Sequence, residues 1–331
     1  MEWSSWYSII FNFILMVIAC LVVAGIGLLH VAYLTYAERK IIARMQQRLG
    51  PNRVGPRGLL QPFADMIKLL GKEDLTPSGV DKPIFWTAPL ISLVCAGTGL
   101  ALIPLWSKFV LSNINVGLLF ILALSALSSY GVILSGWGSN SRYAFLGGLR
   151  ASAQVISYEI AMSLSLLSVV LMAGSLNLQD IVKAQLNTPY KIYIIPQIVA
   201  FVVFIISAIA ECNRTPFDLP ECENELVAGY FVEYAAMKFS IFYLAEYFGM
   251  IVMSALAVTC FLGGWAGPFE IPYVPFFWFL VKLYLLLFFY IWVRATLPRY
   301  RYDQLMGLGW KVLIPVALAN LFVTAVFKLI L

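Results

Sequence analysis

The chain has 331 residues, of which 61% are hydrophobic and 12% are charged, and its formal net charge is +5. A soluble domain carries about twice that charged fraction, so the composition excludes an ordinary soluble enzyme and indicates an integral membrane protein. Because the basic residues stand in loops between apolar runs, the net charge reports membrane topology, and it gives no indication of nucleic-acid binding.

Eight apolar runs of about 18 to 25 residues follow one another, each long enough to cross about 30 Å of hydrocarbon as a helix. They lie at roughly 9–34, 86–106, 115–135, 155–173, 192–210, 239–262, 274–293 and 311–331. The first run is too long for a cleaved signal peptide and lacks its basic start. The sequence therefore predicts an all-α polytopic membrane protein in which residues 1–331 form a single integral membrane domain.

An amphipathic helix is predicted at about 57–72, after the first span. Gly-Pro pairs at 50–51 and 55–56 mark turns before it. Its apolar stripe consists of Leu59, Phe63, Met66, Ile67 and Leu70, and its polar stripe of Gln61, Asp65, Lys68 and Lys72. Such a helix lies at the membrane surface, either as a simple anchor or as the roof of a cavity whose occupant enters from the lipid.

Lysine and arginine are divided unevenly between the two sides of the predicted membrane domain. Seventeen of the 22 lie on one side, in or just beyond the loops 35–85, 136–154, 211–238 and 294–310. Four lie on the opposite side, and Lys282 lies within a span. Since basic loops stay on the cytoplasmic side, we expect both termini to face outward and the four long loops to face the cytoplasm or its equivalent.

Three ionisable residues, Glu159, Glu246 and Lys282, lie inside predicted spans. A charge at the bilayer centre costs about 2.5–3.5 kcal/mol on insertion scales, so such residues normally face the bundle interior and serve a function. Lys282 is predicted near mid-span, where it must either be neutral or have a carboxylate partner, and Glu159 and Glu246 are the available acids. The pair is interpreted as part of a proton relay, the alternative being a structural pair that fixes helix packing.

The loop 211–238 is acidic, with Arg214 as the one cation between its first and last carboxylate. Glu221, Glu223 and Glu225 alternate, so an extended chain places them on one face, about 6–7 Å apart. Two carboxylates at about 6 Å repel by about 2.8 kcal/mol at an effective dielectric of about 20, so we expect them to titrate as a coupled set. The alternative is a solvated, repulsive loop, but two prolines and interleaved apolar residues count against it.

Metal-ligand patterns are weak in this sequence. The five cysteines show no CxxC spacing, and His30 is the single histidine. Iron–sulfur clusters need grouped thiolates and membrane haems usually need paired axial ligands, so we expect redox chemistry to use a partner's centres. The residues by themselves indicate a proton-handling membrane protein with an acidic entrance facing the cytoplasm.

Four stretches between about Ala37 and Lys311 resemble a known family. They read GPNRVGPRGLLQPFADMIKLLGKED, SGWGSNSRYAFLGGLRASAQVISYE, AECNRTPFDLPECENELVAGYFVEY and RATLPRYRYDQLMGLGWK. These long, nearly gapless stretches resemble the H subunit of NADH-quinone oxidoreductase, which is the membrane subunit of respiratory complex I at the joint between its arms. More distant relatives serve membrane-bound hydrogenases, but GPNRVGP followed by LLQPFADMIK is similar to the quinone-reducing branch.

The resemblance implies two sets of functional residues. The set that would line or brace a quinone access tunnel is Glu38, Arg39, Phe63, Asp65, Arg214, Asp218 and Arg294. The set that would form a carboxylate relay towards antiporter-like pump subunits is Glu159, Glu211, Glu221, Glu223, Glu225, Glu233 and Glu246, to which the intramembrane position adds Lys282. Some relatives carry a further glutamate in the third span, whereas 115–135 has no ionisable group here except Tyr130, so a proton path there would use hydroxyls or water.

The resemblance also implies cofactors, partners and location. The substrate would be ubiquinone or menaquinone, and FMN and iron–sulfur clusters would belong to partner subunits, with no metal, haem or flavin in this chain. The partners would be the quinone-site subunits of the peripheral arm, small membrane subunits and antiporter-like subunits. The location would be a bacterial inner membrane or an organellar inner membrane.

Two other functions remain open on the residues alone. A stand-alone proton- or sodium-coupled carrier would use intramembrane acids equally well, although carriers often show inverted repeats and broken spans, which we do not detect. A membrane anchor of an energy-converting hydrogenase would resemble this chain but would lack the quinone.

Overall fold

The computed structural model describes residues 2–107, 110–220, 226–267 and 276–330, and side chains from residue 11 onward. The chain forms two compact units, 1–66 and 67–331. The predicted triad Glu221, Glu223 and Glu225 lies outside the described residues. The prediction of a single membrane domain stays a prediction.

The unit 1–66 is built around one long helix, α1 (Glu2–Met45), whose 44 residues extend about 66 Å at the usual helical rise. A 3-10 turn (Pro56–Gly58) follows. The hydroxyl of Tyr36 on α1 donates to the carbonyl oxygen of Arg57 at 2.7 Å, which fixes this turn beside the helix. The predicted amphipathic helix is α2 (Gln61–Gly71), which begins about four residues later than the sequence indicates.

The unit 67–331 contains most of the membrane helices. Its helices are α3 (Lys82–Ala101), α4 (Gly117–Gly138), α5 (Arg142–Ala173), a short α6 (Leu178–Leu186), α7 (Ile198–Glu211), α8 (Ala236–Phe261), α9 (Phe277–Thr296), α10 (Tyr302–Leu308) and α11 (Ile314–Ile330). A π-helical turn, Gly309–Leu313, joins the last two into one continuous helix. In the part of the chain that the structure describes, the regular secondary structure is helical, as the sequence predicts.

Seven helices in the described residues are long and apolar enough to span a membrane, and α7 is a shorter apolar helix of 14 residues. Each of the eight predicted spans overlaps one of these eight helices. The start of α5 differs most, at Arg142 rather than 155, and α7 begins at Ile198 rather than 192. The backbone N–H groups of Tyr193 and Ile194 both donate to the carbonyl oxygen of Phe261 at 3.0 Å, so this segment caps α8 instead of extending α7.

The helices α3 and α4 pack closely because a glycine stands at their contact. A Cβ atom on Gly131 would lie 2.0 Å from the Oγ of Ser92 and 2.7 Å from the carbonyl oxygen of Ala88. Around this contact the Oγ of Ser92 donates to the carbonyl oxygen of Ser128 at 3.1 Å. Small residues at helix contacts let backbones approach in a membrane, and here they place a row of serines between two helices.

Candidate functional site

In the unit 1–66, three of the four predicted tunnel residues make contacts between α1 and the start of α2. The Nη1 of Arg39 donates to the Oδ2 of Asp65 at 2.6 Å, while Gln61 Nε2 donates to its Oδ1 at 3.1 Å. The ring of Phe63 makes an edge contact with Tyr33 at 6.3 Å. The fourth residue, Glu38, is buried on α1.

In the unit 67–331, the loop after α7 is fixed by a glutamine of α5. Gln154 is fully buried, and its Nε2 donates to the carbonyl oxygens of Ala210 and Phe217, both at 2.8 Å. It also lies 3.3 Å from the Oδ1 of Asn213. Because these contacts span the loop from start to end, they hold the intervening Arg214 in place.

Arg214 joins the two predicted residue sets. Its Nε lies 2.5 Å from the Oε1 of Glu246 on α8, and the two side chains are 5% and 11% exposed. The guanidinium also lies over the ring of Tyr247, 4.3 Å from its centroid. A predicted tunnel residue is therefore paired with a predicted relay residue in a nearly dry environment, where a change of charge on either partner is felt strongly by the other.

Asp218, a predicted tunnel residue, is held from the opposite side. Its Oδ2 accepts a hydrogen bond from the Nη2 of Arg299 at 2.9 Å, with side-chain exposures of 8% and 40%. Next to this pair, the backbone N–H of Tyr300 donates to the carbonyl oxygen of Pro216 at 3.1 Å. The rings of Phe217 and Tyr300 stack at 5.7 Å, so the segment after α9 braces the acidic loop.

Two of the predicted relay residues face a common cavity. Glu211, the last residue of α7, and Glu246 both line a cavity that is bounded mainly by α3, α4, α5 and α8. The Oε2 of Glu211 is buried without a hydrogen-bond partner in the described part of the chain. The structure thus brings Glu211 and Glu246 to one cavity, and it does not place Glu159 in the lining of that cavity.

The remaining predicted site residues that the structure describes are Glu233 and Arg294. Glu233 is half-buried in the segment before α8, and Arg294 is half-buried in the last turn of α9. Glu221, Glu223 and Glu225 fall outside the described residues, so their coupling stays a prediction.

The predicted pairing of Lys282 with Glu159 or Glu246 is wrong. Its Nζ donates to the carbonyl oxygens of Leu262, Gly264 and Ala266, at 2.5, 3.2 and 2.5 Å. These carbonyls follow the C-terminus of α8, about 24 Å along that helix from Glu246.

The predicted mid-span position of Lys282 is also wrong. Lys282 is the sixth residue of α9, about 7.5 Å from its start. Gly263 and Gly264 adopt positive φ values of 75° and 54°, which turns the chain back so that its carbonyls face the lysine. A role for Lys282 in proton relay stays a prediction, but its contacts favour a capping role.

Sequence reasoning missed three residues that organise this site: Gln154, Tyr158 and Arg299. The first two are four residues apart on α5 and so lie on one helical face. The hydroxyl of Tyr158 donates to the carbonyl oxygen of Leu305 at 2.9 Å, and its ring lies 5.6 Å from Phe217. A glutamine inside an apolar span was the available signal, because a buried amide needs partners.

A metal centre would need several ligating side chains close together. Within the described residues, no three His, Cys, Asp or Glu side chains lie together in a way that could hold a metal ion. The prediction that redox centres belong to partner subunits stays a prediction.

Residues 17–325 match the family model described as NADH dehydrogenase. The chain is 51% identical to the NADH-quinone oxidoreductase H subunit of Rhodospirillum rubrum over 326 residues, covering 97% of this chain and 96% of the relative. It is 55% identical to the protein of the same name from Rickettsia typhi over 297 residues, covering 88% and 87% of the two chains. The Rickettsia bellii protein of that name is 52% identical over 316 residues, covering 94% and 93%.

Proposed function

Because the chain belongs to the NADH dehydrogenase family, as a relative of the H subunit of NADH-quinone oxidoreductase, we propose that it guides quinone and links quinone reduction to proton translocation. Its relatives are subunits of an oxidoreductase complex in the respiratory chain, and the apolar helices make this chain a multi-pass membrane protein. The proposal concerns which residues perform the two tasks.

The tunnel is assigned to Glu38, Arg39, Phe63, Asp65, Arg214, Asp218 and Arg294. Several of these are pre-organised by neighbours, Arg39 by Asp65 and Asp218 by Arg299. Charged side chains held in fixed positions can orient a polar quinone headgroup while apolar neighbours accompany its isoprenoid tail. The substrate is ubiquinone or menaquinone, and the electrons arrive from flavin and iron–sulfur centres in partner subunits.

The proton relay is assigned to the carboxylates Glu159, Glu211, Glu221, Glu223, Glu225, Glu233 and Glu246. The observation that carries the assignment is the buried pair of Arg214 and Glu246, because it joins the tunnel set to the relay set. Quinone reduction takes up two electrons and two protons. A charge change that draws Arg214 towards the quinone weakens its hold on Glu246, and Glu246 then binds a proton more readily.

The direct test is Glu246→Gln in the complete complex reconstituted into vesicles. We expect NADH oxidation by ferricyanide, which bypasses the quinone, to be unchanged, and protons pumped per NADH oxidised by quinone to fall. Asp180→Asn is the matched control, since this acid is 51% exposed at the other end of the unit. Normal pumping by Glu246→Gln would overturn the relay assignment, and equal loss of both activities would indicate failed assembly.

The triad needs its own test because it is defined by sequence alone. If Glu221, Glu223 and Glu225 titrate together, the loss of one charge is partly compensated by the other two. Single Gln variants should therefore pump nearly normally, and the triple variant should lose far more than the sum of the three. Additive losses would contradict the coupling.

Of the two alternative functions, the stand-alone carrier has no support from the comparisons, since the relatives are named as subunits of a larger enzyme. The relatives' names also count against a hydrogenase membrane anchor, because they describe a quinone oxidoreductase. Co-purification of other complex subunits and retention of quinone would distinguish all three functions.

The predicted orientation is tested by single cysteines in loops 35–85 and 211–238, which should be shielded from an impermeant external thiol reagent, whereas one near residue 268 should react.

A further inference from the structure

Lys238 is a deeply buried lysine that belongs to neither predicted residue set. It is the third residue of α8, and its side chain is 2% exposed. Its Nζ lies 3.8 Å from the ring centroid of Trp86 and 5.0 Å from that of Phe85, both on α3. The same Nζ lies 3.1 Å from the Oδ2 of Asp74, whose side chain is 34% exposed. A buried ammonium is therefore held between two rings and one carboxylate.

The stability of the fold gives little reason for a lysine at this position. The N-terminal turn of a helix carries partial positive charge, so the helix dipole repels a cation there. A buried ion pair also gains little over well-packed apolar side chains of similar volume, and the rings of Phe85 and Trp86 already form an apolar pocket. What the lysine adds is its attraction to Asp74, so the explanation for the charge lies in the segment that carries Asp74.

Asp74 belongs to an exposed segment, 71–76, which leads from the end of α2 towards α3. All of its residues are exposed, so little apolar burial holds it in place. Further along this connection, the backbone N–H of Asp81 donates to the carbonyl oxygen of Gly138 at 3.0 Å, which fixes the part next to α3. For the part next to α2, the pair with Lys238 is the one ion pair among the described residues.

The helix that precedes this segment presents apolar surface. On α2, Met66, Ile67 and Leu70 are all more than half exposed, at 53%, 67% and 58%. Such side chains accommodate an isoprenoid chain, because burial of apolar surface is favourable in proportion to its area. They have no N–H or O–H group to donate to the carbonyl oxygens of a quinone headgroup. The placement of this end of α2 therefore affects the tail of a quinone more than its headgroup.

We propose, on the basis of the tunnel function given above, that Lys238 is a positioning residue for quinones with a long isoprenoid tail. The ion pair holds Asp74 against the first turn of α8 and thereby fixes the end of α2. The same helix carries Phe63 and Asp65, which are assigned to the tunnel. In this role Lys238 acts through Asp74 and α2, and it does not touch the substrate.

The tether is tested by amide hydrogen exchange of the intact complex with Lys238→Met, which removes the charge and leaves an apolar side chain between the rings. We expect residues 68–71, the last turn of α2, to exchange several times faster than in the parent protein. Residues 178–186 of α6, at the other end of the larger unit, should be unchanged. Unaltered exchange in 68–71 would overturn the proposal.

The effect on the substrate is tested in reconstituted vesicles with two quinones that share a headgroup, one with a single isoprenoid unit and one with a long tail. With Lys238→Met we expect the KM for the long-tailed quinone to rise several-fold and the KM for the short-tailed quinone to change little. Lys238→Arg keeps the charge and should behave as the parent protein. Lys183→Met is the matched control, since this lysine is also paired with an aspartate but is 58% exposed. An equal rise for both quinones, or no rise for either, would overturn the proposal.

The double variant Lys238→Met, Asp74→Asn guards against a failure to assemble, because it leaves no buried charge without its partner. It should raise the KM for the long-tailed quinone as much as Lys238→Met does and no further, since both changes break the same ion pair. Less assembled complex with unchanged KM values would make the pair structural and would also contradict the proposal.

Asp65→Asn separates this inference from the tunnel on which it rests. If Asp65→Asn raises the KM for quinone while Lys238→Met leaves both KM values unchanged, the tunnel assignment stands and the role of Lys238 is refuted. If Asp65→Asn leaves both KM values unchanged, the tunnel assignment itself fails, and the role of Lys238 fails with it.

Discussion

At the end of the larger unit where α7 stops and α8 begins, Arg214 pairs with Glu246 and Arg299 pairs with Asp218. At the opposite end, polar and charged side chains bind backbone carbonyls instead. The first group, here called the charged cluster, consists of Glu211, Arg214, Asp218, Glu246 and Arg299. The second, called the capping group, consists of Gln185, Lys282 and Lys328. Both groups lie within residues 67–331, and both contain nearly dry polar atoms.

The capping group satisfies helix C-termini. Gln185 donates to the carbonyl oxygen of Thr259 at 2.7 Å and accepts from the backbone N–H of Gly263 at 2.9 Å. Lys282 binds the carbonyls that follow α8, and Lys328 donates to the carbonyl oxygen of Leu171 near the C-terminus of α5. The last carbonyls of a helix lack intrahelical partners, and a cation there also offsets the helix dipole, so these residues stabilise the fold.

The charged cluster is a poor stabiliser by comparison. Removing two charges from water costs about as much as their attraction returns, so a buried ion pair is weak evidence for stability. Arg214 and Glu246 are nevertheless 5% and 11% exposed. The capping group therefore holds helix ends, and the burial of the Arg214–Glu246 pair supports the proposal that the charged cluster serves the reaction.

The largest effect should come from Arg214→Met. Glu246 then loses the guanidinium of Arg214 in a buried site, a change that typically costs about 3–5 kcal/mol of stability, so we expect less assembled complex and a large fall in quinone reduction. NADH oxidation by ferricyanide should remain, which the same membranes can report. Removing both partners in Arg214→Met, Glu246→Gln should restore assembly but not pumping; restored pumping would show that the pair is structural.

Lys282→Met should mainly reduce the amount of assembled complex. It leaves three carbonyls without a charged donor, and such hydrogen bonds contribute about 1.5–3 kcal/mol each. Native gels measure the amount of assembled complex, and vesicles made from the assembled fraction measure the protons pumped per NADH, so a defect in assembly can be separated from a defect in pumping. We expect less assembled complex, an unchanged number of protons pumped per NADH, and a normal amount of complex in Lys282→Arg. A normal amount of complex that pumps poorly would instead support a relay role for Lys282.

Two fully buried glutamines offer a matched comparison of the two ends. Gln154→Met should free the loop that carries Arg214, and Gln185→Met should uncap α8, each at a cost of about 1–3 kcal/mol. We expect Gln154→Met to raise the KM for quinone several-fold and Gln185→Met to lower thermal stability with the KM unchanged. The KM is measured by titrating quinone with each variant. A similar KM in the two variants would contradict the assignment of different tasks to the charged cluster and the capping group.

The smallest effect should come from Asp303→Asn. Asp303 pairs with Arg301 at 2.9 Å, but both side chains are 72% exposed. Exposed pairs contribute about 0–1 kcal/mol, so assembly, quinone reduction and pumping should all match the parent protein. A marked loss in any of them would show that exposure is a poor guide to which ion pairs matter in this chain.

Many residues of the site could be predicted from the sequence. Glu211, Arg214, Asp218 and Glu246 stand out without any knowledge of their contacts, because carboxylates are costly beside apolar runs and because four stretches resemble one family. Arg299 and Gln154 were missed, since a basic loop residue and one amide inside a span give no sign of what they bind. The partner of Lys282 was predicted wrongly for a related reason, since spacing along the chain does not show which helix ends meet.

The sequence by itself determined that the chain is a bundle of membrane helices, because long apolar runs have no other stable state in lipid. It also indicated the family and the acidic segment. The tertiary structure decided which charges pair. Arg214 reaches Glu246 on α8 from a loop that Gln154 of α5 holds in place, and Lys282 misses Glu246 because it lies near the opposite end of α8. Electrostatic partners are set by distances of a few ångströms, which depend on how the helices pack and which no hydropathy pattern encodes.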